Sequence, residues 1–486
     1  METERRRFLA AAVLIAIVGV ALRLTGIGWG LPAQVSPYEP PIHPDEHVAV
    51  AGAAMLYHGP SGLQFLWGGS LYPRTAWLAN AAIQSVDPQP PVYRVGPGVR
   101  RWENGSSLLV VLRVLNVVLA LATAGFVGFV GVVLAGPVVG LVAASLLLFF
   151  PGHVLDSHYA RPDVLTACFL AAALACAVHA ARTEGRAWFA IGGACAGLAC
   201  ATMLSGAIGF GALAGAALEG GRFDAAGRRR ALHRLAAVAL GASAGWLAGN
   251  AEALVYWRPF LQGIIHAASS HQGGAYAFPV RLLTVVAFYA FGSVAAIAAW
   301  LGVVVLARRR PIGFAAVLGH LVLGTLLLGR VGGDMMRHLE PLAPAAAVAA
   351  AVGLGAVVRG LSKRGLGVVP AGVVVYGGAL AFTLQLSVVY VGTMQFAEDP
   401  RYRAGRWLTQ NLAPGTRIGR TASFDGDIAY SPRPPEPHEL DVQTLRLYGS
   451  RSDPPIEPDG FDVIATSDYA ESHARRSQAR QFFETL

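Results

Sequence analysis

Long apolar runs recur along nearly the whole chain, each close to the length a helix needs to cross a bilayer. A hydrocarbon core of roughly 30 Å takes about 20 apolar residues in a helix. Lipid offers the backbone no hydrogen-bond partners, so only helices or closed barrels can span it. The runs lack the short alternation of barrel strands, and helices are therefore expected. Eleven spans are expected, at 8–28, 108–134, 137–151, 164–181, 187–205, 207–219, 232–251, 281–306, 312–329, 341–358 and 367–391. The third and sixth are short enough to be tilted, broken or merged, so ten or twelve crossings also fit. Charge agrees with this reading. Only 14% of the residues are Asp, Glu, Lys or Arg, against roughly a quarter in a soluble domain.

Basic residues orient the spans. Arg5–Arg7, Arg182 with Arg186, Arg228–Arg230 with Arg234, Arg308–Arg310, and Arg359 with Lys363 and Arg364 fall on alternating sides of the expected crossings. Putting all five groups in the cytoplasm satisfies the positive-inside rule with one threading. The N-terminus is then cytoplasmic and the tail external, as in a multi-pass inner (cell) membrane protein. The net charge of +9 is absorbed by these loops, so no nucleic-acid partner is implied. The basic start followed by an apolar stretch is similar to a signal peptide, but it runs on through Trp29 without a small-residue cleavage site and reads as an uncleaved span. Cys168, Cys176, Cys195 and Cys200 all fall inside expected spans, so no external disulfide framework is expected. Abundant Gly and Ala suit close helix contacts in lipid.

Residues 1–392 thus read as a transmembrane domain and 393–486 as a small external α/β domain, with strands expected at 416–421 and 461–466, a helix at 399–411 and loop over 431–460. The first external loop, 29–107, is long enough to hold a helix over 45–58 and an amphipathic surface helix over 74–86. A further external loop spans 252–280. No inverted repeat of the transporter kind is evident.

Polar clusters gather in the external loops. His43-Pro44-Asp45-Glu46-His47 opens the helix expected at 45. Adjacent helical side chains point about 100° apart, so Asp45 and Glu46 cannot both face one substrate. Two readings stand: one carboxylate acts as a general base, or both merely suit the start of a helix. Asp156-Ser157-His158-Tyr159-Ala160-Arg161-Pro162-Asp163 follows the third span. Ionisable groups at membrane depth are costly and face a cavity or a partner, so Asp163 either lines a cavity or caps the fourth span. Arg330, Arg337, His338 and Glu340 form a third cluster. External arginines oppose the positive-inside bias, which leaves carboxylate pairing or anion binding to explain them. Arg74 is another external anion-binding candidate, whereas Arg113 with Asn116 reads as a structural contact.

Other matches fail. Asp425-Gly426-Asp427 has the form of a metal-binding DxD motif but lacks a nucleotide-binding fold around it. No HExxH zinc motif and no P-loop is present.

Taken together, the clusters carry a resemblance. Leu22-Arg23-Leu24, Gly28-Trp29-Gly30-Leu31-Pro32 and His43-Pro44-Asp45-Glu46 are similar to the opening of the GT-C membrane glycosyltransferases, with glycosyltransferase family 39 nearest: protein O-mannosyltransferases and aminoarabinose transferases. Tyr72-Pro73, Arg113, Pro151-Gly152-His153 through His158 and Asp163, Arg337-His338-Leu339-Glu340-Pro341-Leu342-Ala343-Pro344, and Asp399-Pro400-Arg401 through Trp407-Leu408 and Pro414-Gly415-Thr416 extend it.

The resemblance implies an all-α polytopic membrane fold with a small α/β appendage. It also implies inverting transfer of a sugar from a polyprenyl-phosphate carrier to a lipid, glycan or protein acceptor at the external face. Asp45 would be the catalytic acid residue, Glu46 its neighbour and Asp163 the second cavity carboxylate. His43, Arg74, His158, Arg330, Arg337 and His338 would contact substrate. No cofactor is required, and a divalent metal, with Asp45 as a ligand, remains compatible with the carboxylates. The lysine that aminoarabinose transferases use for the carrier phosphate has no counterpart, since the only Lys is Lys363 on the cytoplasmic side; Arg74 is the substitute. A transporter or flippase of lipid-linked sugars is the alternative, and a silent membrane scaffold the third reading.

Overall fold

The computed structural model describes residues 2–31, 45–46, 49–50, 53, 69–96, 99–101, 104–219, 225–270, 283, 286–329, 336–396, 411, 413, 416–422, 440–446 and 463–465. Two compact units emerge. One comprises Met1–Ile27, Met55–Ala79 and Val110–Gly392, the other Gly28–Ala54, Asn80–Leu109 and Thr393–Leu486.

The first unit is a helical bundle. Its helices are α1 (Glu2–Leu24), the start of α2 (Leu71–Gln84), most of α3 (Gly105–Ala135), α4 (Pro137–Phe149), α5 (Pro151–Ser157), α6 (Asp163–Thr183) and α7 (Arg186–Thr202). There follow α8 (Gly209–Leu218), α9 (Ala225–Gly249), α10 (Trp257–Ser270), α11 (Ala287–Phe291), α12 (Ser293–Arg309) and α13 (Phe314–Leu328). Last come α14 (Ala343–Lys363), α15 (Val368–Gly372) and, after a π turn over Val373–Gly377, α16 (Gly378–Phe396).

Every expected apolar run thus contains helix. Among the described residues six helical segments are long and apolar enough to cross a membrane, or seven if α4 and α5 count as one bent span. Those over the remaining runs, α7, α8 with its preceding 3-10 turn, α12 and α13, are shorter. The chain is a multi-pass membrane protein. Burial separates centre from rim: 89% of the residues in the apolar stretch of Leu339–Lys363 and 78% of those in α6 are buried, against 17% in each of α1 and α9. The rim exposes Leu9, Val13, Leu14 and Ile17 on α1, side chains suited to lipid rather than water.

Glycine sets a close seam between α7 and α9. Gly193 and Gly197 on α7 face Gly241 and Gly245 on α9, each pair four residues apart. A β-carbon on Gly197 would fall 2.2 Å from the Ala242 carbonyl oxygen, and one on Gly241 would fall 1.9 Å from that of Ala190. Only hydrogen fits there, and the backbones touch.

Four expected segments take a more specific form. The third span, expected over 137–151 and short enough to be broken, ends at Phe149, and the chain bends by 56° into α5, because proline has no N–H for the preceding turn and Phe150 before it is extended. The span expected over 281–306 breaks at Gly292, whose φ of 81° lies in the left-handed region. The loop expected over 431–460 contains a strand, Leu440–Arg446; its Leu440 and Val442 alternate with Asp441 and Gln443, a short pattern hidden among flanking prolines. Within the loop expected at 252–280, Trp257–Ser270 is helical.

In the second unit the described tail forms a parallel three-stranded sheet in the order β4 (Leu440–Arg446), β3 (Thr416–Ala422), β5 (Val463–Ala465). Ile418 pairs with Val442 on one side and Val463 on the other. The first loop adds an antiparallel hairpin, β1 (Tyr93–Gly96) with β2 (Val99–Arg101). The helix expected over 399–411 lies, apart from helical Asn411, outside the described residues.

Candidate active site

Breaking a helix in an apolar medium leaves carbonyls without donors, and the polar groups around Pro151 answer that need. The Leu148 carbonyl accepts from Arg23 Nη1 at 3.0 Å, and that of Phe149 accepts from Ser387 Oγ at 2.7 Å. Arg23, fully buried, also donates through Nε to Ser157 Oγ at 3.0 Å. A charged residue in the first span is thus held by the bend itself.

Beyond the bend, α5 carries the polar string. His153 Nδ1 is hydrogen-bonded to the Glu340 carboxylate, with both side chains essentially inaccessible. Asp156 pairs with Arg161, whose Nε lies 3.6 Å from Asp163 Oδ2. Asp163 is the first residue of α6 and is buried. Arg161 therefore sits between two carboxylates, and the Asp163 side chain is held at the helix start. Asn116 donates to the Tyr159 carbonyl at 2.7 Å and Arg113 to that of Ile27 at 2.5 Å, the structural contacts expected of them.

Two expected substrate contacts are engaged by protein groups instead. His158 has Nδ1 2.8 Å from the Val154 carbonyl oxygen and Nε2 2.8 Å from that of Thr25. A neutral ring can donate to one of these and an imidazolium to both. Arg74 makes a forked pair with Glu252, Nε to Oε1 at 2.9 Å and Nη2 to Oε2, and donates to the Ala248 carbonyl at 2.8 Å. Ser70 Oγ donates to the same carboxylate at 2.8 Å. Burial would raise the Glu252 carboxyl, but the hydrogen bonds from Arg74, its own backbone N–H and Ser70 outweigh it and hold the group below its ordinary range. This clasp joins α2 to the turn after α9. An expected phosphate arginine has found a carboxylate.

Asp45 and Glu46 are both helical, Asp45 half-buried and Glu46 fully buried; they belong to the second unit, and Asp163 to the first. The unequal burial agrees with adjacent helical residues facing different surroundings. His43 and Arg330 lie outside the described residues. Arg337 and His338 lie on the Met336–Leu342 3-10 turn. Among the described residues, no group of three or more His, Cys, Asp and Glu side chains gathers as for a metal ion. Sequence reasoning named Arg23, His153 and Glu340 within its motifs but gave none of them a site role and did not pair His153 with Glu340. The available signal was a charged residue inside an apolar run, as at Leu22-Arg23-Leu24.

No protein-family model and no curated protein matches this sequence. Solved structures do match in fold. The archaeal oligosaccharyltransferase AglB from Archaeoglobus fulgidus, in complex with an inhibitory peptide and a dolichol-phosphate, aligns over 87% of this chain at 13% identity with a TM-score of 0.57. This chain spans 63% of that protein's length. The Archaeoglobus fulgidus enzyme in complex with Zn and sulfate aligns over 85% of this chain and 60% of its own, at 14% identity and a TM-score of 0.51. ArnT from Cupriavidus metallidurans bound to undecaprenyl phosphate aligns over 88% of this chain and 84% of its own, at 13% identity and a TM-score of 0.54. These neighbours are GT-C superfamily membrane glycosyltransferases, and theirs is the fold of this chain.

Proposed function

We propose that this protein is an inverting glycosyltransferase that moves a sugar from a polyprenyl-phosphate carrier to a lipid, glycan or protein acceptor at the external membrane face. The observation that carries the reading is the GT-C fold shared with an ArnT bound to undecaprenyl phosphate over 84% of that protein's length. Supporting it, a dense polar cluster stands where the α5–α6 junction meets the ends of α1 and of the Met336–Leu342 turn. Eleven crossings follow from the apolar runs, and a cytoplasmic N-terminus and an external tail from the basic loops.

In this reading Asp45 removes the proton of the acceptor nucleophile, which attacks the anomeric carbon in line. The bond from that carbon to the carrier phosphate oxygen breaks, its electron pair stays on the oxygen, and polyprenyl phosphate leaves. The proton remains on Asp45 until it passes to water. Arg330 and Arg337 stabilise the charge gathering on the phosphate, and His43 and His338 complete its surroundings. Asp163, held by Arg161, lines the sugar cavity, and Glu46 supports Asp45 from within the fold. Arg74 and His158 serve the architecture. No step calls for a metal.

Purified protein given labelled polyprenyl-phosphate sugars and candidate acceptors tests this. Wild type is expected to transfer label in a carrier-dependent manner, with Asp45→Asn and Asp163→Asn slowed by about 100-fold or more while remaining folded. Absence of transfer from every donor, by folded wild type, would overturn the reading in favour of transport.

A further inference from the structure

We propose that His153 and His320 are positioning residues that clamp the turn presenting Arg337 and His338, and so set the grip on the carrier phosphate; this rests on the donor reading above. The Met336–Leu342 turn cannot hold its own shape. It is a 3-10 segment containing Pro341, and proline has no N–H to give to the carbonyl of His338 three residues back. Its anchors come from elsewhere in the bundle.

Two histidines on different helices take adjacent residues. His153, on α5, is hydrogen-bonded through Nδ1 to the Glu340 carboxylate. His320, on α13, approaches the Pro341 carbonyl oxygen through Nε2 at 2.8 Å. Both rings are buried. The other nitrogen of each ring, His153 Nε2 and His320 Nδ1, has no hydrogen-bond partner among the described residues, so each imidazole spends its one hydrogen bond on this turn. One helical turn beyond His320, a β-carbon on Gly324 would fall 2.2 Å from Leu342 Cδ2. The turn therefore lies directly on α13.

Buried polar pairs of this kind are a poor way to gain stability, since apolar side chains of similar volume do as well or better. They are a good way to fix one arrangement, because a buried histidine or carboxylate released from its partner is costly. The segment so fixed leads directly from the residues assigned to the phosphate into the most buried helix of the bundle. Letting go of Glu340 or Pro341 frees Arg337 to drift by an ångström or so without unpacking α14.

Full-length protein in lipid nanodiscs, with undecaprenyl phosphate as the probe, separates the possibilities. Glu340→Leu, His320→Leu and the double variant His153→Leu/Glu340→Leu are expected to weaken binding and raise the donor KM by about tenfold or more, with kcat changed far less. Glu340→Gln and His320→Gln keep an acceptor and a donor in place and are expected to bind as wild type does. The double leucine variant guards against misfolding, since it leaves neither member of the pair without the other. If it is folded and binds undecaprenyl phosphate as tightly as wild type, the clamp is wrong and the donor reading stands. If wild type itself does not bind the probe, the donor reading falls and the clamp with it.

Discussion

The α7–α9 seam and the α5–α6 junction hold helices together by opposite means. At the seam Gly193, Gly197, Gly241 and Gly245 bring backbone onto backbone with no charge involved. At the junction Arg23, His153, Asp156, Arg161, Asp163 and Glu340 bury ionisable side chains within the bundle. Lipid makes the first arrangement inexpensive, because helix contacts there depend on close approach rather than on expelling water. It makes the second expensive, because each ionised group must find its partner inside the protein. The seam therefore reads as architecture. The junction reads as a site, since nothing in bundle packing asks for six such residues in one place.

The comparison breaks most visibly at Arg161. Replacing it with Met leaves Asp156 and Asp163 buried without the cation between them, at an expected cost of about 3–5 kcal/mol. Thermal unfolding in detergent should show a large drop, partly restored by adding Asp156→Asn. A variant as stable as wild type would mean the junction is open to water and the pair weak. A smaller effect is expected at the seam. Gly241→Leu must push α9 off α7, costing about 1–3 kcal/mol, whereas Gly125→Ala, where a β-carbon meets nothing within 4 Å, should be neutral or slightly stabilising. Equal stability for the two would show that the helices separate freely and that the seam is not tight.

The two regions were also unequally legible. Glycines four apart on each of two apolar runs are a local signal, and the small-residue bias pointed to close packing before any coordinates. Hydrophobic length gave the helices themselves, down to the short α8 and α13. The junction could be read only one residue at a time. Asp163 and His158 stood out as polar groups beside a span, but Arg23 meets Ser157 across 134 positions and His153 meets Glu340 across 187. No spacing rule reaches so far. The partner of Arg74 was hidden for the same reason. An external arginine asks for an anion, and the sequence could not say that Glu252, 178 positions away, was already that anion. The break at Pro151 was legible in principle, yet its meaning depended on Arg23 and Ser387 satisfying the freed carbonyls.

The smallest expected effect lies between the two extremes, at the Arg74–Glu252 clasp. Its geometry is as good as that of the buried pairs, but both side chains are about a quarter exposed, 25% and 22%. Solvent screening should reduce its coupling to about 1 kcal/mol, measured by a double-mutant cycle of Arg74→Gln and Glu252→Gln. The pH dependence follows from the lowered carboxyl of Glu252. A carboxyl that is more acidic folded than unfolded stabilises fully above its unfolded value, ordinarily 4.5, and that contribution fades as pH falls through the lower folded value. The stability difference between wild type and Glu252→Gln should thus be constant from about pH 7 to pH 5.5 and shrink steadily below about pH 4.5. A difference that persists unchanged to about pH 3 would show that Arg74 and Ser70 hold α2 without the carboxylate's charge, and that the clasp belongs with the uncharged seam rather than with the junction.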